Sequence, residues 1–136
     1  MNNYHTTICL DFGNTRLKAA AFRNGILKDT FVCHHEEPIQ LKDFIQKHQP
    51  AKIILASVIN HDEALEKILS EEPNLHVLNA SSRLNFSIAV SKPETIGPDR
   101  LALAAAACSV YPGKNNLIIG MGTCITYNFI NQDHQI

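Results

Sequence analysis

The sequence lacks net charge, paired cysteines and long hydrophobic runs, and each shortage excludes a class of protein. Lys and Arg number 12 against 13 Asp and Glu, for a formal net charge of −1. No basic surplus points to nucleic acid or to an anionic membrane. No apolar stretch approaches the roughly 18 residues of a spanning helix. Met1-Asn2-Asn3-Tyr4-His5 has neither the basic start nor the apolar run of a signal peptide, so the expected location is cytoplasmic. Cys9, Cys33, Cys108 and Cys124 form no Cys-x-x-Cys pair. They read as reduced thiols, expected to be buried. Cys33-His34-His35 has no second ligand pair at zinc-site spacing, so the histidines read as a solvated loop. Helix-turn-helix and low-complexity segments are also missing.

What remains is a chain of 136 residues, 45% hydrophobic and 18% charged. That composition fits a globular protein. The length suits one core but not two full lobes with a cleft between them.

Thr6–Phe12 reads as a strand, Gly13-Asn14-Thr15 as a tight turn using the tolerance of Gly and Asn for positive φ, and Leu17–Arg23 as a second strand. Asn24-Gly25 is a strong hairpin signal and leads into a third strand, Ile26–Cys33. After Pro38 the period becomes helical through Ile39, Leu41, Phe44, Ile45 and His48, and Pro50 stops it. Lys52–Val58 has the look of a buried parallel strand. Asn60 or Asp62 can cap a helix carrying Leu65, Ile68 and Leu69, and Leu75–Leu78 follows as a short strand. The expected order is βββαβαβ with a mixed sheet, because a helix between strands favours parallel pairing. Phe86–Val90 is a possible short strand. Arg100–Tyr111 is an Ala-rich helix closed by Pro112-Gly113, and Asn116–Gly120 and Cys124–Ile130 are two more strands. Ile8 to Thr15 and Leu117 to Thr123 are both apolar strands ending in a Gly–Thr turn. This echo suggests a duplicated domain.

Asp11 ends a strand directly before Gly13-Asn14-Thr15, with Lys18 nearby. Such a turn suits a phosphate: glycine lets backbone N–H groups approach it, and a carboxylate can hold Mg²⁺. An ordinary β-turn accounts for the same residues. Asp11-Phe12-Gly13 also spells the protein-kinase magnesium motif, but no His-Arg-Asp loop or Gly-rich ATP loop accompanies it. Asp99 precedes the Ala-rich helix, either as its N-cap or as a general base beside Arg100. Gly122 and Thr123 read as a hairpin turn or as a second phosphate contact.

Together these segments resemble the type III pantothenate kinases. Asp11-Phe-Gly13-Asn14-Thr15-Arg16-Leu17-Lys18 resembles the family motif Asp-x-Gly-Asn-Thr-x-x-Lys. Pro93 to Arg100 resembles Pro-x-x-x-Gly-x-Asp-Arg, and Gly120 to Asn128 resembles Asp-x-Gly-Thr-x-x-Thr-x-Asp. The likeness spans residues 6 to 130. It implies an α/β, ribonuclease-H-like domain of the sugar-kinase, actin and heat-shock-chaperone superfamily over 1–115, with 116–136 opening a truncated second such domain. It implies phosphoryl transfer from ATP to pantothenate, the first step towards coenzyme A. By motif carry-over, Asp11 would hold the metal. Gly13, Asn14, Thr15, Lys18, Gly122 and Thr123 would contact phosphates. Asp99 would be the catalytic base, and Val90, Gly97, Pro98 and Arg100 would belong with Asp99 to the pantothenate site. Mg²⁺ with ATP, a monovalent cation (K⁺ or NH₄⁺) and a homodimer are implied as well.

Three positions depart from the family pattern. Gly120 and Asn128 stand where it has Asp, and Val90 stands where it often has Tyr. Gly120 removes a carboxylate from the monovalent-cation site. The chain alone is expected to be a weak or inactive kinase. The alternative is a non-catalytic member acting as a regulator or accessory protein.

Overall fold

The computed structural model describes residues 5–34 and 37–136. His35 and the N-terminal segment before His5 lie outside the described residues, so the reading of the histidine loop rests on His34 alone, which is exposed. The chain forms two compact units, Met1–Val77 and Leu78–Ile136.

The first unit is an α/β layer. Strands β1 (Thr6–Phe12), β2 (Leu17–Arg23) and β3 (Ile26–Cys33) are joined by tight turns; α1 (Pro38–His48), β4 (Lys52–Ser57), α2 (Glu63–Ser70) and β5 (Leu75–Val77) follow. The sheet runs β3-β2-β1-β4-β5, antiparallel among the first three strands and parallel from β1 through β4 to β5. Asn24 (φ 52°) and Gly25 (φ 77°) both take positive φ, the backbone that matches a two-residue turn to the right-handed twist of the strands. Alternation puts Ile8, Leu10 and Phe12 on the core face, where Leu17, Ala19, Ile53 and Leu55 join them. Leu41, Phe44 and Ile45 of α1 and Leu65, Ile68 and Leu69 of α2 complete that core, while Ile39 faces solvent. Asp62 caps α2 by accepting the Leu65 N–H at 2.8 Å.

The second unit contains a short 3₁₀ turn (Pro93–Thr95), helix α3 (Pro98–Val110) and the hairpin β6 (Asn116–Met121) and β7 (Ile125–Ile130). Ala104, Cys108 and Ile130 form its small core, with Phe86, Ile118 and Ile136 packed against them. Phe86–Val90 does not form a strand. A single bridge joins Ser87 to Gln135, with Ser87 N–H donating to His134 O at 2.8 Å. Two of the four thiols are exposed, Cys9 and Cys124, contrary to the expected burial. Cys9 alternates away from the core side of β1, and Cys124 lies in the hairpin turn. No described helix is long and apolar enough to cross a membrane.

Candidate functional site

The candidate residues divide between the two units. In the first, the alternation that buries Leu10 and Phe12 turns Asp11 to the opposite face of β1. Lys18 stands directly across from it on β2, and Lys18 Nζ donates to Asp11 Oδ2 at 3.1 Å. Both side chains are about half exposed (55% and 48%), so the pair is open to exchange with a ligand.

The turn after β1 closes through Gly13 N–H to Arg16 O at 3.1 Å. Neither Gly13 nor Asn14 has a positive φ, which corrects the expectation that this turn depends on one. A Cβ on Gly13 would meet only Arg16 O, at an ordinary 3.7 Å, and one on Gly122 only Cys124 O, at 3.8 Å. Neither backbone strain nor packing therefore requires glycine at these two positions. What glycine provides there is bare backbone that another molecule can approach closely.

Asn14 lines a cavity of about 260 Å³ with Ile59, Asn60, Asp62 and Leu65. Reading the sequence missed what holds this loop. Ser57 Oγ lies 2.8 Å from His61 Nε2, and His61 Nδ1 lies 2.6 Å from Glu66 Oε1. The Phe12 ring meets the His61 ring edge-on at 5.7 Å. The i, i+4 spacing of Ser57 and His61 gives no signal outside a helix, so only the folded loop reveals the chain.

In the second unit, Gly97 is the N-cap of α3, not Asp99. Gly97 O accepts the N–H groups of Arg100 and Leu101 at 3.0 and 3.1 Å. Pro98 takes the first helical position, where a missing N–H costs nothing, and this moves Asp99 inside the first turn. The positive end of the helix still favours a carboxylate there. The Asp99 carboxylate makes no hydrogen bond or ion pair among the described residues, whereas Arg100 Nε donates to Asn128 Oδ1 at 2.6 Å. Arg100 and Asn128 line a cavity of about 480 Å³ with Val90, Lys92 and Thr95, whereas Gly97, Pro98 and Asp99 do not line it. Gly122 and Thr123 lie in the exposed β6–β7 turn, which closes through Gly122 N–H to Cys124 O at 3.2 Å.

Among the described residues, no group of three or more His, Cys, Asp or Glu side chains could hold a metal ion. Asp11 alone fits a Mg²⁺ that arrives with nucleotide phosphates, since such ions are commonly held by one or two carboxylates plus the phosphates. A monovalent-cation site does not fit at Gly120. That residue offers no side-chain oxygen, and a Cβ there would sit 2.6 Å from Thr126 Oγ1.

A family model for type III pantothenate kinase matches residues 7–136. The chain belongs to the type III pantothenate kinase family. A type III pantothenate kinase of Christiangramia forsetii is 41% identical over 128 residues, covering 93% of this chain and 53% of the relative. The type III pantothenate kinase of Cytophaga hutchinsonii is 35% identical, covering 91% and 51%. The chain thus spans about half the length of the curated relatives it matches. Two solved structures share the fold. One, from Campylobacter jejuni, bears the name of a Baf family transcriptional activator (TM-score 0.52, 21% identity, 93% of this chain and 49% of that one). The other is an Aquifex aeolicus Ppx/GppA phosphatase (TM-score 0.50, 12% identity, 94% and 49%).

Proposed function

We propose that this chain carries the nucleotide-binding and substrate-binding front of an enzyme that transfers a phosphoryl group from ATP to the hydroxyl of pantothenate, the opening step towards coenzyme A. The observation that carries the reading is the Asp11–Lys18 pair beside a turn whose Gly13 the backbone itself does not require. With nucleotide present, the Lys18 ammonium would exchange Asp11 for phosphate oxygens. The freed Asp11 carboxylate would then hold the metal that accompanies them. Backbone N–H groups of Gly13, Asn14 and Thr15 would face one phosphate, and those of Gly122 and Thr123 a second. Mg²⁺ arriving with ATP would supply neutralising charge. Asp99 would orient the pantothenate hydroxyl and take its proton late in the transfer, a role that suits a carboxylate at a helix N-terminus. Arg100, with Val90, Gly97 and Pro98, would belong to the pantothenate site.

The fold assignment within this proposal is a ribonuclease-H-like domain over 1–115, with 116–136 opening a second. A cytoplasmic homodimer is the form in which we expect it to act. Catalysis of phosphoryl transfer is mostly positioning and electrostatics. A chain half as long as its relatives is therefore expected to turn over weakly by itself. Gly120, which removes a cation ligand, favours a second reading as a non-catalytic member with a regulatory or accessory role.

A coupled ADP-release assay with ATP, Mg²⁺, K⁺ and pantothenate, run beside Asp99→Ala, separates the two. Turnover that depends on pantothenate and disappears in the variant is the result expected of the kinase. Its absence at every protein concentration leaves the family intact and shifts weight to a truncated or a non-catalytic member.

A further inference from the structure

We propose that His61 is a positioning residue for the phosphate turn: joined to Glu66 and Ser57, it holds the β4–α2 loop against Phe12 and so fixes the backbone of Gly13 and Asn14 for nucleotide phosphates. The proposal rests on reading that turn as the phosphate site and deepens that reading.

β1 and β4 run parallel and end together, with Phe12 paired to Ser57. Ligands of open α/β sheets bind just beyond such carboxyl ends. Strand alternation puts Ser57 on the face of Ile53 and Leu55, which packs on the helices. A half-buried hydroxyl there needs partners. Ser57 Oγ meets His61 Nε2 at 2.8 Å, and lies 3.3 Å from Ile59 O and 3.4 Å from Ile59 N. The His61 side chain is 13% exposed, and its Nδ1 faces Glu66 Oε1 at 2.6 Å. A carboxylate only accepts, so Nδ1 carries the proton. The neutral ring then offers Nε2 to the Ser57 hydroxyl. A protonated ring donates through Nε2 instead, and the hydroxyl turns to Ile59 O. Both ring nitrogens are engaged in either state.

Two contacts pass this order to the phosphate turn. Val58 N–H donates to Phe12 O at 3.0 Å, and the Phe12 and His61 rings meet edge-on at 5.7 Å. Phe12 is buried, and Gly13 follows it directly. Ile59, Asn60 and Asp62, on either side of His61, line the cavity with Asn14. The loop is thus anchored at β4 through Val58 and at α2 through the Asp62 cap, and His61 ties its middle to both elements. Backbone N–H groups serve a phosphate best when they are aimed before it arrives. Stability alone accounts poorly for the Glu66 end. That side chain is 62% exposed, and an exposed pair contributes little to folding. An acceptor on the far ring nitrogen does fix a histidine's tautomer and direction.

The test uses the full chain labelled with ¹⁵N. Two quantities are read: the amide resonances of Gly13 and Asn14, and the affinity for Mg²⁺–ATP by calorimetry. Glu66→Ala is expected to move both amides and to weaken Mg²⁺–ATP about fivefold, with the thermal midpoint nearly unchanged. Loss of a negative charge near a phosphate site would by itself tighten binding, so the sign separates positioning from charge. Glu66→Gln loses the same charge but keeps an acceptor for Nδ1–H, and is expected to retain the wild-type amide positions and at least the wild-type affinity. His61→Phe keeps a ring against Phe12 without either hydrogen bond, and is expected to behave as Glu66→Ala does. Amides unmoved in both Glu66→Ala and His61→Phe overturn the positioning role. So do moved amides with undiminished affinity, or an equal loss of affinity in Glu66→Gln and Glu66→Ala. Moved amides in a chain whose wild type does not bind Mg²⁺–ATP keep the placement of the turn by His61 and overturn the phosphate reading instead.

Discussion

Asp11 on β1 and Lys18 on β2 face each other across the antiparallel ladder, with Nζ and Oδ2 3.1 Å apart. An exposed pair of this kind contributes only about 0–1 kcal/mol to stability. Lys18→Met is therefore expected to leave the urea midpoint almost unmoved and to weaken binding of Mg²⁺–ATP about tenfold or more, as loss of a phosphate cation should. Titration calorimetry beside urea unfolding checks both. Unchanged nucleotide affinity would remove Lys18 from the phosphate site.

Gly120 is held by packing. A Cβ there would lie 2.6 Å from Thr126 Oγ1 and 3.4 Å from Leu103 Cδ1. Gly120→Ala is expected to destabilise the second unit by about 1–3 kcal/mol, the usual cost of overpacking. In a Thr126→Ala background that cost should shrink, because the clashing hydroxyl is gone. A double-mutant cycle by thermal unfolding reads the coupling.

Asp29 on β3 accepts from Lys47 Nζ at 2.7 Å and faces His48 Nε2 at 3.0 Å, tying the strand to the end of α1. These two hydrogen bonds, Lys47 first, hold its carboxyl below the ordinary Asp range. The folded protein thus binds this proton less tightly than the unfolded chain. Its stabilising effect is full above the unfolded value of about 4 and is lost as pH falls through the lower folded value. Asp29→Asn should lower stability at neutral pH and flatten the acid limb of the stability profile. Denaturant melts from neutral pH down to acid test this, and parallel curves for the two proteins would contradict it.

The β6–β7 hairpin turns six apolar side chains outward in three opposed pairs: Leu117 with Phe129, Ile119 with Tyr127 and Met121 with Ile125. Met121 is 84% exposed, and among the described residues the two strands pair only with each other. Such a face with free edges promotes association. Ile119→Lys combined with Tyr127→Glu places opposite charges across the ladder and should reduce self-association without opening the hairpin. Sedimentation velocity across a concentration series measures it. An identical concentration dependence in the variant would mean that this face takes no part.

Local chemistry made many elements legible. Asn24-Gly25 marks its turn because few other residues accept two successive positive φ values. Asp62 caps α2, and Leu65, Ile68 and Leu69 bury the face that their spacing marks out. Three ordered motifs carried the family, which the match over 7–136 then showed. Of the two readings that the sequence left open for Asp99, cap or base, the cap does not hold. Pro98 fits the first helical turn better and moved the cap back to Gly97.

The sequence by itself determined the α/β class, the mixed sheet and the candidate residues, because strand alternation, turn chemistry and capping act within a few residues of one another. Tertiary structure alone decided what those residues touch. Arg100 and Asn128 meet only because β7 returns alongside α3. Ser57, His61 and Glu66 link only because the β4–α2 loop folds back on itself. Gly120 proved to be a packing requirement only once Thr126 was seen against it. Contacts between residues distant in sequence depend on where the chain returns, and periodicity along one segment carries no record of that.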